Sequence, residues 1–248
     1  MHLCDKRIIS KKGTAVVKAL QGNYNDTYLF MLEQNLNMWE QHQLQIELID
    51  ERIDQLLGQM CKEKKTVEVK SKPKAIRHPA PKIKDLHNRM IQVYGVNLSS
   101  ISGINDYTLL QLLGETGTDM SRFATEKHFA SWCGLSPRHH KSGKTSKRVK
   151  GTSCNKAGQI FKEVAQGLLN STSIAIGCFM KKLRARKDSA IAIKAGARKL
   201  AQAYYNALTK GIDYVEQGTK KHEDQIRQRE KATLYKLAKK HNMQLCET

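Results

Sequence analysis

Apolar side chains recur along Tyr28–Met60 in alternating steps of four and three. The series is Leu32, Leu36, Trp39, Gln43, Ile46, Asp50, Ile53, Leu57 and Met60, and six of these nine are aliphatic or Met. This spacing predicts one long helix with a coiled-coil-like seam. Gln43 and Asp50 put polar groups into the seam, which lowers stability and can set register or partner number. The seam has two readings: self-association through residues 28–60, giving a homo-oligomer, or packing on the helix's own domain.

The pattern then breaks. Cys61–Asn88 holds nine Lys or Arg, three Pro and few aliphatic residues. Such a stretch suits an extended charged linker, read as a solvated tether rather than a binding arm. Helical spacing returns afterwards. Asp85–Tyr94 reads as a helix, Ser99–Ile104 as a turn, and Asn105–Leu113 as a second helix with Asn105 as its N-cap. Phe123–Gly134 forms another helix anchored by Phe123, Phe129 and Trp132. Leu135–Ser153 reads as a loop. Ala157, Ile160, Phe161, Val164, Ala165, Leu168 and Leu169 repeat at helical spacing behind a cap at Asn155. Leu200, Tyr204, Leu208 and Val215 give a further amphipathic helix, and Glu223–His241 a charged, solvated one. No internal repeat stands out.

The expected fold is therefore mainly α: a long coiled-coil-like helix, a linker, then a compact helical domain with a helix-hairpin-helix-like element. The expected segments are 1–60 (N-terminal segment and seam helix), 61–84 (basic Pro/Lys linker), 85–218 (helical domain carrying a basic loop) and 219–248 (charged terminal helix). The hairpin centres on Gly103, Ile104 and Asn105. Units of this outline bind phosphates through backbone N–H groups and the positive end of the following helix. Here Asn105 stands where a second Gly would ease close approach, and Asp106 would repel a phosphate. A purely structural αα-hairpin is the competing reading.

Charge sharpens the picture. The 248 residues carry 43 Lys plus Arg against 23 Asp plus Glu, a formal net charge of +20. Hydrophobic residues at 40% suffice for a core, so wholesale disorder is excluded. The cations are clustered. No acid lies between Glu126 and Glu163, a gap that holds nine Lys or Arg. Within it Arg138, Lys141, Lys144, Lys147, Arg148 and Lys150 crowd a Gly/Ser-containing loop, and Lys156 follows. A second cluster, Lys181, Lys182, Arg184 and Arg186, lies on a predicted helix. Phosphate is the natural counterion of such runs, and DNA the expected partner. Six neutralised duplex phosphates would give a log K against log salt slope of about −5.

Ser142, followed by Gly143, sits among these cations. A serine attacking a phosphodiester needs such surroundings, since cations stabilise the negative transition state. A turn former or simple phosphate contact is the commoner role. The GxxxxGK[ST] pattern is absent, which rejects a P-loop nucleotide site. Cys133, His139, His140 and Cys154 do not match zinc-ligand spacing. Asp119, Glu126 and Glu163 are too scattered for two-metal chemistry. Low aromatic content in the basic regions disfavours a general RNA-binding protein. The six cysteines are dispersed and without a CxxC pair, so reduced thiols in the cytoplasm are expected rather than a disulfide scaffold. The N-terminus has no signal-peptide apolar block, and the apolar run near Ile174–Met180 is too short for a bilayer, so no membrane partner is expected.

Several blocks occur in order: Gly103-Ile104-Asn105-Asp106, then Leu112-Leu113-Gly114-Glu115-Thr116-Gly117-Thr118-Asp119-Met120-Ser121-Arg122-Phe123, then His128-Phe129-Ala130-Ser131-Trp132-Cys133-Gly134-Leu135-Ser136-Pro137, then Ser142-Gly143-Lys144. They resemble the C-terminal domain of insertion-sequence transposases of the 110/116/902 group. Lys18–Met60 is similar to that family's central coiled-coil region. The resemblance implies a DNA recombinase working with a structured guide RNA, with Ser142 at the position of the serine that attacks DNA. It also implies a RuvC-like domain whose four acids bind divalent metal. No such strand-rich domain precedes the seam helix, and Asp5 and Asp26 cannot replace it. A truncated or split transposase, incomplete alone, is the expectation. It would hold no cofactor itself, with Mg2+ expected only alongside the RuvC-like domain. The alternative is a non-catalytic nucleic-acid-binding fragment that pairs with intact enzyme through the seam helix.

Overall fold

The computed structural model describes residues 6–20, 22, 25–62, 71–74, 81–143, 145–149, 153–241 and 243. The chain divides into two compact units, Met1–Arg52 and Ile53–Thr248. The first contains α1 (Lys6–Leu20), a helix that the sequence pattern did not announce, broken by non-helical angles at Lys12. It also contains most of α2 (Asp26–Lys62), the predicted seam helix. Asn25 starts α2 by accepting the Thr27 N–H on its side-chain oxygen at 3.0 Å. Within this unit Leu32, Trp39 and Ile46 are 62%, 40% and 48% exposed.

The second unit begins with the last turns of α2, whose Ile53, Leu57 and Met60 pack into its core. These three seam positions thus belong to intramolecular packing, and the seam available to a partner is shorter than the pattern suggested. Arg89 Nη1 reaches Asp54 Oδ1 at 2.7 Å, and Gln92 Nε2 donates to the Cys61 carbonyl at 2.7 Å, fixing α2's end on α3 (Leu86–Tyr94). A 3-10 turn (Leu98–Ser100), α4 (Asp106–Thr116) and α5 (Glu126–Trp132) follow. Next come β1 (Arg138–Ser142), β2 (Thr145–Val149) and α6 (Lys156–Leu168). The unit closes with α7 (Ala175–Arg186), α8 (Ser189–Lys210) and α9 (Ile212–Lys240).

Helix α8 is the hub, with α5, α6, α7 and α9 all packed on it. Ala192, Gly196, Ala197 and Ala201 keep one face of α8 small, so neighbouring helices approach closely. Tyr204 fills the centre and is fully buried, beside Phe129 and Phe161 at ring-centroid distances of 6.0 and 5.7 Å. Its hydroxyl lies 3.1 Å from both Tyr94 Oη and Thr116 Oγ1, and Tyr94 Oη donates to the Leu109 carbonyl at 2.9 Å. Every member of this buried chain has a partner, as a low-dielectric interior demands. Burial pushes both phenols well above their ordinary titration range, so they stay neutral.

The mainly α expectation holds, with differences in detail. The predicted loop Leu135–Ser153 contains an antiparallel hairpin. The helix expected over Phe123–Gly134 is shorter, because Thr125 caps it and Phe123 stays in the preceding turn. Val215 lies on α9, since α8 stops at Lys210 before Gly211. Helix α9 starts well before Glu223. The linker is not only a tether. Ser71 Oγ lies 2.6 Å from His87 Nε2, and Lys74 Nζ donates to the carbonyls of Ile101 and Ile104 at 3.0 and 3.1 Å. Among the described residues no helix is long and apolar enough to cross a membrane.

Candidate nucleic-acid interface

The basic hairpin pairs Arg138 with Val149, His139 with Arg148, His140 with Lys147, Lys141 with Ser146 and Ser142 with Thr145. Cations from both strands are thereby gathered into one two-stranded ribbon. Ser142 ends β1, and exposed Gly143 opens the turn with φ of +56°. A positive φ at that position suits the tight turns that match strand twist. A Cβ added at Gly143 would meet no atom within 4 Å, so the space beside this glycine is open. Lys144 and Lys150 lie outside the described residues.

The roots of the ribbon are tied together. Cys154 Sγ donates to the Gly134 carbonyl at 3.6 Å, and Asn155 Nδ2 donates to the Trp132 carbonyl at 3.2 Å. Asn155 also caps α6, its Oδ1 accepting the Gly158 N–H at 2.8 Å. One residue therefore joins the exit of β2 to the end of α5 and starts the next helix. Lys156, first in α6, is exposed and 3.9 Å from Glu115 Oε1, a surface pair of little energetic consequence.

On α7, Lys181, Lys182 and Arg186 are exposed. Arg186 Nε donates to the Lys182 carbonyl at 3.3 Å, while Arg184 Nη1 donates to Asn170 Oδ1 at 3.0 Å. The second cluster is thus partly tied to its own helix and to the α6–α7 turn.

The Gly103 turn looks different. Gly103 has φ of +85°, but a Cβ there would strike Leu168 Cδ1 at 2.8 Å and Val164 Cγ1 at 2.9 Å. Ile104 is fully buried, and Asn105 caps α4 by accepting the Thr108 N–H at 2.8 Å. The glycine is required by the α6 side chains packed against it. Asp106, expected to repel a phosphate, is buried, and its Oδ1 lies 2.9 Å from His87 Nδ1. Its charge is therefore not presented at the surface. Lys74 adds a cation beside this pair. Partial removal from water lowers the Lys74 pKa, and the Asp106 charge works in the opposite direction. Sequence reasoning missed Ser71, Lys74 and His87, because nothing local signals contacts across such chain separations.

No group of three His, Cys, Asp or Glu among the described residues is arranged to hold a metal ion. Cys133 is buried, and its thiol is pushed up to about 12 by burial, with Cys154 adding to the effect. A metal-ligating thiolate needs the reverse. Asp119 accepts the Ser121 N–H at 2.8 Å and the Ser121 hydroxyl at 2.9 Å, which holds its carboxyl below the usual range.

The family described as Transposase IS116/IS110/IS902 matches residues 96–166. Those residues are similar to that transposase family. The matched segment runs from the residues after α3 through α4, α5 and the basic ribbon into α6, so Ser142 falls inside it. Two curated relatives are similar: the pilin gene-inverting proteins of Moraxella bovis and Moraxella lacunata. Each is 39% identical over 27% of this chain and 24% of the relative. The match therefore spans about a quarter of each relative's length.

Proposed function

We propose that this chain takes part in DNA recombination as the serine-bearing, DNA-contacting part of a transposase. The observation that carries the reading is Ser142 at the end of β1. It lies next to an open glycine turn, inside a 96–166 transposase match and an acid-free run of nine cations. In the proposed step the Ser142 oxygen attacks a DNA phosphorus and loses its proton. A phosphorus–oxygen bond to the deoxyribose breaks, and the freed strand end leaves as a hydroxyl. One ester replaces another, so no oxidant or energy source is needed. The role assigned to Arg138, Lys141, Lys144, Lys147, Arg148 and Lys150 is to hold the phosphates and stabilise the charge that develops. Lys156, Lys181, Lys182, Arg184 and Arg186 extend the contact along flanking DNA.

A RuvC-like domain binding Mg2+ and a structured guide RNA are the proposed co-workers, acting in the cytoplasm. The metal would supply Lewis-acid activation of phosphate chemistry. The described residues of this chain do not fit such an ion, and no step is derived through it.

The direct test mixes the purified chain with a RuvC-like domain of the family, guide RNA and element-end DNA. A protein–DNA adduct is expected on a denaturing gel, and Ser142→Ala abolishes it. An adduct that persists unchanged in that variant overturns the serine assignment.

A second reading, a non-catalytic fragment that pairs with intact transposase, draws on the exposed Leu29, Leu32, Met38, Ile46 and Ile49 of α2. Exposed apolar area of this extent favours a partner helix. Co-purification with a full-length relative supports this reading, and a strictly monomeric chain that never co-purifies counts against it.

A further inference from the structure

A cavity of about 510 Å³ lies beside α8. Its walls come from the turn before α4 (Ser100, Ser102), the start of α7 (Phe179), α8 (Lys199, Asn206) and the start of α9 (Tyr214). The volume lies within the range of small-ligand sites. Resting on the nucleic-acid reading above, we propose that this cavity takes one unpaired nucleotide of a bound single strand.

Three observations support it. The walls are mostly apolar and include two aromatic rings, each with a lysine against one face. Lys199 Nζ is 4.7 Å from the Phe179 centroid, and Lys210 Nζ is 4.7 Å from that of Tyr214. Such rings offer faces for a base, and the ammonium groups offer charge for its phosphate. Next, the Asn206 carboxamide belongs to the cavity lining. Its Oδ1 is buried without a hydrogen-bond partner among the described residues. Buried polar atoms without partners are rare and call for an explanation. A half-turn of the amide exchanges its oxygen and nitrogen, so either can meet the edge of a base, and a base N–H would satisfy the oxygen. Finally, the Ser100–Ser102 turn and α7 both line the cavity. Lys181 and Lys182 follow Phe179 on α7 and can carry the strand's neighbouring phosphates. Glu216, on the α9 wall, keeps phosphate from that end and can accept from a base amino group.

The probes are a fluorescein-labelled single strand of mixed sequence and its duplex. Two variants change the cavity: Asn206→Leu removes the amide, and Ala203→Phe fills the space from α8. Each is expected to weaken single-strand binding about tenfold, the value of one stacked base, and to move duplex binding less than about twofold. Equal weakening for both probes, or none for either, overturns the proposal. The wild-type chain supplies a measurement that needs no variant: ultraviolet crosslinking to a strand containing iodouracil. Crosslinks are expected on peptides carrying Phe179 or Tyr214, and crosslinks confined to other peptides overturn the assignment. A wild-type chain that binds neither probe sinks the nucleic-acid reading and the cavity with it. Binding of both probes with the cavity variants unchanged sinks the cavity alone.

Discussion

Two glycine turns in this chain carry positive φ and drew the same expectation of phosphate contact, yet their surroundings are opposite. At Gly103 the space a side chain would need is filled by Leu168 and Val164, and the neighbouring Ile104 and Asp106 are buried. At Gly143 nothing lies within 4 Å of an added Cβ. The same backbone requirement therefore serves the protein's own packing in one case and leaves room for a partner in the other. A glycine in a turn does not by itself announce contact with a ligand; what fills the space around it decides.

Mutations can break this comparison, beginning with the largest expected effect. Asp106→Ala, beside the Gly103 turn, leaves His87 Nδ1 without its buried hydrogen-bond partner and should cost about 3 kcal/mol, read from urea unfolding. Gly103→Ala adds the strain of a left-handed residue to the clash with two side chains. It should cost about 2–4 kcal/mol in the same assay. Gly143→Ala carries the backbone strain alone, about 1 kcal/mol, and confined to the ribbon. The melting midpoint of the helical body should then stay unchanged. A destabilisation at Gly143 equal to that at Gly103 would show that the ribbon tip is packed after all. The smallest stability effect belongs to Lys147→Ala and Arg148→Ala, within about 0.5 kcal/mol. Their signature is instead a DNA-binding salt slope shallower by about 1 for each phosphate no longer neutralised. Unchanged slopes would remove the ribbon from the interface.

Much of the helical body was legible from spacing. The seam predicted α2 to within a few residues, and Asn105 and Asn155 cap α4 and α6 because a short carboxamide reproduces the missing backbone acceptor. The ribbon was not legible. A half-buried strand shows itself by alternating apolar and polar residues, and a ribbon rich in cations throughout has no such alternation. Helix α1, interrupted at Lys12, gave no long periodic stretch to read. The Ser71–His87–Asp106 chain lies between segments far apart in sequence, and each of its members is unremarkable locally. The split use of α2 was also hidden. Ile53, Leu57 and Met60 continue the seam pattern without a break, and only three-dimensional packing shows that they line a core rather than an interface.

The tied roots of the basic ribbon have an evolutionary corollary. Gly134 and Trp132 are bridged to Cys154 and Asn155 by a clasp of bonds that lies below the two strands and does not involve their outer ends. Residues could be added to or removed from the outer end in matched pairs, one on each strand, without shifting the alignment near the base. A lineage could in this way lengthen or retune its grip on a new sequence while leaving its folding untouched. An unmatched insertion near the clasp would carry no such freedom.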